Sequence, residues 1–381
     1  MQVAELTTLA QLEAISVQWH ALALTCSHPT PYMLPAYMLP WLRRLPSRWA
    51  LRFAAVWEGS TLLGLAPMMV RRVGGQLFGL RMLCSPEVAP TPPCEVLLHP
   101  TSVGPVTEAL MAHWSTHSDW DAIELASVPA GAVCLTALAS RAVAAGLEVR
   151  ETEDLRFYCV PTQGGNWQSY HDGRSKKHRQ NLRRGWRYFE RIGATHVRVY
   201  PGDMDLQAVR EATRHVVARS WKDDGGVQGW NQFVEEILDG FAAPGMLRAS
   251  FLTVADEPVA YLYDVLWKND VFAVQNGYSL AMQPGNPGQL LLAHSIRLAH
   301  ESGAGRYVTG NRDYLRQWGE DTLDTSRLRI RRRSPASAAR LALYDFVHRR
   351  RQRHALRAAD EAKDERKRSM RAAGGQPEAD S

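Results

Sequence analysis

The segment DVFAVQNGYSLAMQPGNPGQLLLAHSIRLAHESG (270–303) is the part of this 381-residue chain where residue type and spacing point most directly to chemistry. A strand-like run passes through a Gly/Pro loop into a helix-like run. Such a loop offers free backbone N–H groups and the positive end of a helix, which suit a phosphate or pyrophosphate. Gly285 and Gly288 would let backbone approach a ligand closely, although the same pattern also occurs in plain connecting turns. No GKS or GKT follows, so this is not a P-loop. The preceding segment reads as an antiparallel meander, whereas a dinucleotide fingerprint needs a parallel βαβ unit. Asp264 interrupts the apolar strand EPVAYLYDVLW. It either points into a cleft, where burial would raise its pKa, or occupies an exposed position paired with a cross-strand Lys or Arg.

Other candidates carry less. Asn276, Tyr278, Asn311, Asp313 and Tyr314 are polar groups flanking the loop. His171, His178, His215, His294 and His300 lack the mutual spacing of a metal site or triad. The acids of GDMD (202–205) and WKDDGG (221–226) suit caps and turns better than a catalytic dyad. Trp167, Trp186, Trp221, Trp230, Trp267 and Trp318 could stack on a sugar face, or simply pack. Five cysteines (Cys26, Cys84, Cys94, Cys134, Cys159) are scattered and odd in number. That argues against a disulfide framework and structural zinc, and no metal is expected.

The elements that must position these residues come in two similar series. In the first, a helix over 9–24 and another in AYMLPWLRRL (36–45) precede the runs 51–59, 61–72 and 76–85, joined by short glycine-bearing turns. A helix in TSVGPVTEALMAHWSTH (101–117), a strand WDAIELASV (120–128) and a helix ending at Gly146 follow. In the second, the block RSKKHRQNLRRGWRYFER (174–191) is helical. Leu182, Trp186 and Phe189 line one face, Ser175 is the N-cap and Gly193 the stop. Helices over 204–221 and 232–241 precede a second meander, 248–255, 257–268 and 270–278. A helix over 289–303, a strand GRYVTG (305–310) and a strand LDTSRLRIRR (323–332) complete it. Identity between the series is too weak to define a repeat, but the order predicts an α+β duplication.

Composition bounds the rest. With 45% hydrophobic and 22% charged residues, the chain is neither disordered nor fibrous. No apolar run is long enough for a transmembrane helix and no signal peptide opens the chain, so a cytoplasmic protein is expected. The formal charge of +6 is uneven: residues 327–381 hold 16 Lys/Arg against 7 Asp/Glu, and 174–191 hold eight against one. Such blocks suit polyanions, including nucleic acid and anionic lipid, or are solvated helix faces. The basic tail would allow peripheral contact with an anionic membrane.

Taken in order, the basic helix, the second meander and PGNPGQLLLAHSIRLAHESGAGRYVTGNRDYLRQWG (284–319) resemble the FemAB/CelD-like branch of the GNAT superfamily, the BioF2-like acetyltransferase domains. Arg174, Ser175, Lys176, Lys177, Arg179, Leu182, Arg183 and Arg184 match the family's basic helix. Pro287, Gly288 and Leu291 match its helix start, with Asn286 in place of serine. Gly310, Tyr314 and Trp318 match the element that follows, where Leu315 stands in place of the usual lysine. GLAPMMVRR (64–72) resembles the family's first, degenerate unit, and the likeness covers residues 15–335.

The resemblance implies tandem GNAT-like domains, each a mainly antiparallel sheet flanked by helices. The expected bounds are 1–160 for a degenerate unit, 161–335 for the acyltransferase unit and 336–381 for a basic helical tail. It implies an acyl-CoA donor, acetyl-CoA or longer, and an N-acyltransferase acting on a sugar or cell-envelope precursor. Gln283, Gly285, Asn286, Gly288 and Gln289 would cradle the pyrophosphate. The strand 270–278 would bind the acyl carbonyl, with Asp264, Tyr314 and Asn276 as the catalytic groups. Two alternatives stand beside it: a FemABX-like aminoacyltransferase using aminoacyl-tRNA, and a non-catalytic accessory of polysaccharide synthesis.

Overall fold

Turn chemistry and apolar alternation build two successions of strands and helices. The structure, a computed structural model, describes residues 1–26, 30–45, 49–73, 79–86, 93–220, 230–319, 321–335 and 337–346. The first succession is β1 (Gln2–Leu6), α1 (Leu9–Ala14), α2 (Ser16–Thr25), α3 (Pro35–Leu42), β2 (Ala50–Leu51), β3 (Phe53–Glu58), β4 (Thr61–Ala66), β5 (Met69–Val73), β6 (Leu80–Cys84), β7 (Leu97–Leu98), α4 (Val103–Thr116), β8 (Ala122–Pro129), α5 (Val133–Ala144) and β9 (Glu148–Pro161). The second is α6 (Trp167–Asp172), α7 (Lys176–Ile192), β10 (Thr195–Tyr200), α8 (Leu206–Val217), α9 (Trp230–Ala242), β11 (Leu247–Val254), β12 (Glu257–Trp267), β13 (Asp270–Tyr278), α10 (Pro287–Glu301), β14 (Arg306–Gly310) and β15 (Asp321–Arg331).

The second meander forms as its strand-like runs and short turns predict. Its first turn places Ala255 and Asp256 at φ of 48° and 63°, the left-handed pair of a tight hairpin. The first meander departs from expectation at Pro67. Proline supplies no N–H and ends strand pairing, so the run 61–72 splits into β4 and β5, which lie in different sheets. The opening helix likewise divides, with Ile15 between α1 and α2. Strands β1, β9 and β10 were not expected. Most of the basic tail lies outside the described residues; 337–346 are helical.

Among the described residues a small sheet runs β1-β3-β4-β7, and a large one runs β10-β11-β12-β13-β14-β9-β15-β8-β6-β5-β2. This is the α+β architecture expected, with sheets flanked by helices. In each succession an antiparallel series ends in a parallel join crossed by a helix: β6 to β8 through α4, and β13 to β14 through α10. The last strands are exchanged. β9 pairs with β14 of the second succession, β15 pairs with β8 of the first, and β9 and β15 pair with each other. The halves are therefore fastened through shared sheet. No helix among the described residues is long and apolar enough to cross a membrane.

Candidate active site

The site begins where β13 and β14 part. Their parallel pairing covers only Asp270–Phe272 against Arg306–Val308. Beyond it, β13 carries a register shift against β12: Tyr263 faces Gln275 and Asp264 faces Ala273, which leaves Val274 as the extra residue. β14 shifts at the same level, between Val308 and Gly310, in its pairing with β9. The edge of Ala273–Tyr278 turned away from β12 therefore lies beyond its pairing with β14. Tyr32, from the turn before α3, reaches this point and donates its hydroxyl to the Ala273 carbonyl at 3.5 Å. Sequence reading missed Tyr32 because only the fold brings the first half to this strand.

At the end of β13 the chain crosses a short 3₁₀ segment, Leu280–Gly285, into α10. Asn286 sits in the left-handed region at φ 52° and caps α10 without a side-chain hydrogen bond. Pro287 has no N–H to satisfy, and the Gln289 and Leu290 N–H groups donate to the Asn286 carbonyl at 3.0 and 3.4 Å, which leaves the Gly288 N–H at the helix start. A Cβ built on Gly288 would meet only Tyr278 Cδ1, at 4.0 Å. Space for an anion thus exists at Gly288. Gln283 and Asn286 are exposed beside it.

Two members of the expected cradle do other work. A Cβ on Gly285 would stand 2.4 Å from the Phe189 ring and 2.6 Å from Tyr188, so this glycine admits the close approach of α7. Gln289 spends its side-chain carbonyl on two donors, Gln317 Nε2 at 3.0 Å and Trp318 Nε1 at 2.9 Å. That clamp fixes the turn Asp313–Gln317 against the start of α10. Gln317 in turn accepts from His178 Nδ1 at 3.1 Å, and His178 stands edge-on to Trp318. Burial pushes the His178 pKa down, so the ring is held neutral.

Asp264 does not face a cleft. It is fully buried and lies directly opposite Arg248 across the β11–β12 ladder. Arg248 donates to its Oδ2 at 3.0 and 3.3 Å, and Tyr307 donates its hydroxyl to Oδ1 at 2.6 Å. Arg248 also reaches the Ser295 carbonyl of α10 at 3.3 Å, so the group ties α10 to the sheet. Desolvation raises the Asp264 pKa, as its burial implied, with Arg248 and Tyr307 opposing. A cross-strand arginine is present, yet the position is enclosed rather than exposed, so each alternative was half right.

Tyr314 is the polar ring of the rim. It is 59% exposed, between exposed Asp313 and buried Leu315. Local desolvation moves its hydroxyl pKa upward against the effect of Arg312, so it remains an O–H donor at neutral pH. Leu315 packs into the apolar cluster with Trp318, and cations at this turn come from exposed Arg312 and Arg316. Asn276 is exposed on β13, on the same strand as Tyr278. Trp267 and Trp318 are buried and offer no stacking face, whereas Trp186 is partly open. WKDDGG lies outside the described residues.

Helix α7 completes the surroundings. Ser175 Oγ caps it by accepting from the His178 N–H at 3.2 Å, and Leu182 and Phe189 are buried as their spacing required. Its outer face exposes Lys176, Lys177, Arg183, Arg184, Arg187 and Arg191.

Residues 176–314 match the protein family described as Acetyltransferase (GNAT) domain. The fold is similar to that of FemX, with TM-score 0.53 and 11% identity, covering 86% of this chain and 97% of that one. It is similar to a conserved protein of unknown function from Bacteroides thetaiotaomicron, with TM-score 0.53 and 13% identity over 87% and 100% of the two chains. It is also similar to the C-terminal domain of a protein designated a lysylphosphatidylglycerol synthetase from Agrobacterium fabrum, with TM-score 0.52 and 11% identity over 89% and 96%. At these identities the likeness is one of fold. No curated protein sequence matches the chain.

Proposed function

We propose, from the premise that residues 176–314 are a GNAT acyltransferase domain, that the protein transfers an acyl group from acyl-CoA to an amine of a sugar or cell-envelope precursor. The observation that carries this reading is the parting of β13 from β14 directly before the open first turn of α10. The positive end of α10, with the Gly288 N–H and the space beside it, suits the donor's pyrophosphate. The stretch Ala273–Tyr278, beyond the pairing with β14, suits the acyl carbonyl and the oxyanion that develops from it, where each aligned donor contributes about 3 kcal/mol. Tyr314 supplies a proton to the leaving sulfur. Asp313, exposed beside it, is the carboxylate at this rim able to take a proton from the acceptor amine through water. Asn276 positions the acceptor, and Asp264 acts from beneath by holding α10 in place.

A second reading has its own support. The exposed cations of α7 lie on a helix that packs against the α10 loop, and a row of this kind suits the phosphates of an aminoacyl-tRNA. The fold likeness to FemX and to the lysylphosphatidylglycerol synthetase domain supports this donor as much as acyl-CoA. A thermal-shift titration with acetyl-CoA, CoA, a longer acyl-CoA and a charged tRNA decides between them. At about 100 times Kd, binding adds about 2.7 kcal/mol, a rise of several degrees. A rise with an acyl-CoA alone supports the first reading. A rise with tRNA alone, steeply lost in salt, replaces it with the second.

A further inference from the structure

The last turn of α4 carries an arrangement that acyl transfer does not use. His113 lies in that turn, and His117, four residues on, caps the helix, so both rings lie on one side of it. Their centroids are 4.8 Å apart at 74°. Glu5 faces them from the edge strand β1. Its Oε2 is 3.3 Å from His113 Nε2 and 3.8 Å from His117 Nε2, and the three ligand atoms all lie within 4.8 Å of one another. All three side chains are partly buried.

The surroundings hold this trio in place. Arg52 Nε donates to Glu5 Oε2 at 2.9 Å, which orients the carboxylate as an outer-shell partner does. Arg52 Nη1 also donates to Asp119 at 2.6 Å, so the guanidinium is shared by two carboxylates, and Arg332 donates to the His117 carbonyl.

We propose that Glu5, His113 and His117 form a binding site for a divalent metal of the zinc class, fastening the end of α4 to the edge strand of the small sheet. Two imidazoles and one carboxylate are ligands that zinc accepts. Bonds of about 2.1 Å in a tetrahedron place ligand atoms about 3.4 Å apart, close to the two spacings seen here. Three protein ligands leave one position for water. The motif His-x-x-x-His is present in the sequence as HWSTH, but its third ligand, 108 residues earlier on β1, is visible only in the fold.

The test uses the full chain, stripped with EDTA and desalted, then titrated with zinc and separately with cobalt. The expected result is about one equivalent of zinc per chain and a rise of several degrees in melting temperature. Cobalt should give the visible bands of a tetrahedral nitrogen and oxygen site with no thiolate charge-transfer band. His113→Ala/His117→Ala should lose the equivalent and the temperature rise while melting like the parent in EDTA, and Glu5→Gln should weaken binding at least about 10-fold. Equal zinc uptake by parent and double variant overturns the proposal, as does a thiolate band, which would place the metal on the cysteines, or a parent that takes up no zinc. The cobalt spectrum of the parent decides the matter even if the double variant does not fold.

Discussion

Gly185 of α7 and Gly285 of the α10 loop meet without side chains between them. A Cβ on Gly185 would lie 2.7 Å from the Gly285 carbonyl oxygen, and the facing Cβ on Gly285 would enter the Phe189 ring. This close approach sets the basic helix against the loop that leads into the first turn of α10. Either glycine is therefore a spacing device for the site.

The first prediction follows directly. Gly185→Ala must push backbone, not a flexible side-chain end, so it should destabilise by about 1–3 kcal/mol and displace the loop. Thermal melts with and without donor measure both effects. A variant that melts and binds like the parent would mean that the helix and the loop do not depend on this contact.

Gly288 has the opposite character. With only Tyr278 at 4.0 Å from a built Cβ, Gly288→Ala should fold and melt like the parent. Gly288→Glu places bulk and negative charge at the phosphate position and should weaken donor binding by about 100-fold or more. Calorimetric titration with the donor identified by thermal shift compares the two. Unchanged affinity in Gly288→Glu would remove the α10 turn from the binding site.

Much of this site could be read from the sequence, and the limits have physical causes. The meander β11–β13 shows apolar runs broken by short turns, and the cap at Ser175 and the face of Leu182 and Phe189 are local signals. Strand β9 shows neither. It alternates charges, because its partners are the arginines of β15: Arg331 pairs with Glu148, Arg327 with Asp154 at 3.1 Å, and Asp324 with Arg156 at 2.7 Å. Those contacts span more than 160 residues and leave no local pattern. Likewise, Asp264 marks itself as unusual in an apolar strand, but only the strand register places Arg248 opposite it.

Asp264 and Arg248 give a third prediction. Asp264→Ala leaves the guanidinium buried without its partner and should cost about 3–5 kcal/mol in stability. If the pair only holds α10 to the sheet, the folded variant keeps donor affinity and the pH profile of kcat. A pH profile that loses one limb in Asp264→Asn would instead return this carboxyl to the chemistry.

Glu95 provides a pH prediction. It is 8% exposed, its Oε1 has no hydrogen-bond partner, and burial pushes its pKa up to about 8 against the pull of Lys268. Unfolded, it ionises near 4.5, so between 4.5 and about 8 the folded state binds more protons. Stability should therefore fall as pH rises through this window, by an amount on the order of 5 kcal/mol, and level off above it. Glu95→Gln should flatten this slope and be the more stable protein at pH 8. Urea melts across the range test it, and parallel slopes in the two proteins would rule Glu95 out as the cause.

Tyr314 and Leu315 are adjacent but should respond in opposite ways. Tyr314 is exposed, so Tyr314→Phe should leave the melting temperature unchanged while lowering kcat by about 10²-fold or more if its hydroxyl protonates the leaving group. Leu315 is 6% exposed and packs in the apolar cluster, so Leu315→Lys buries an unpaired ammonium and should destabilise by several kcal/mol without raising activity. The cation supplied at this turn would then be Arg312 or Arg316, and replacing each with Met should raise KM for the anionic donor if it contacts the donor. A Leu315→Lys protein that folds normally and turns over faster would mean that lysine reaches the site from position 315, and that the packing of Leu315 does not define this turn.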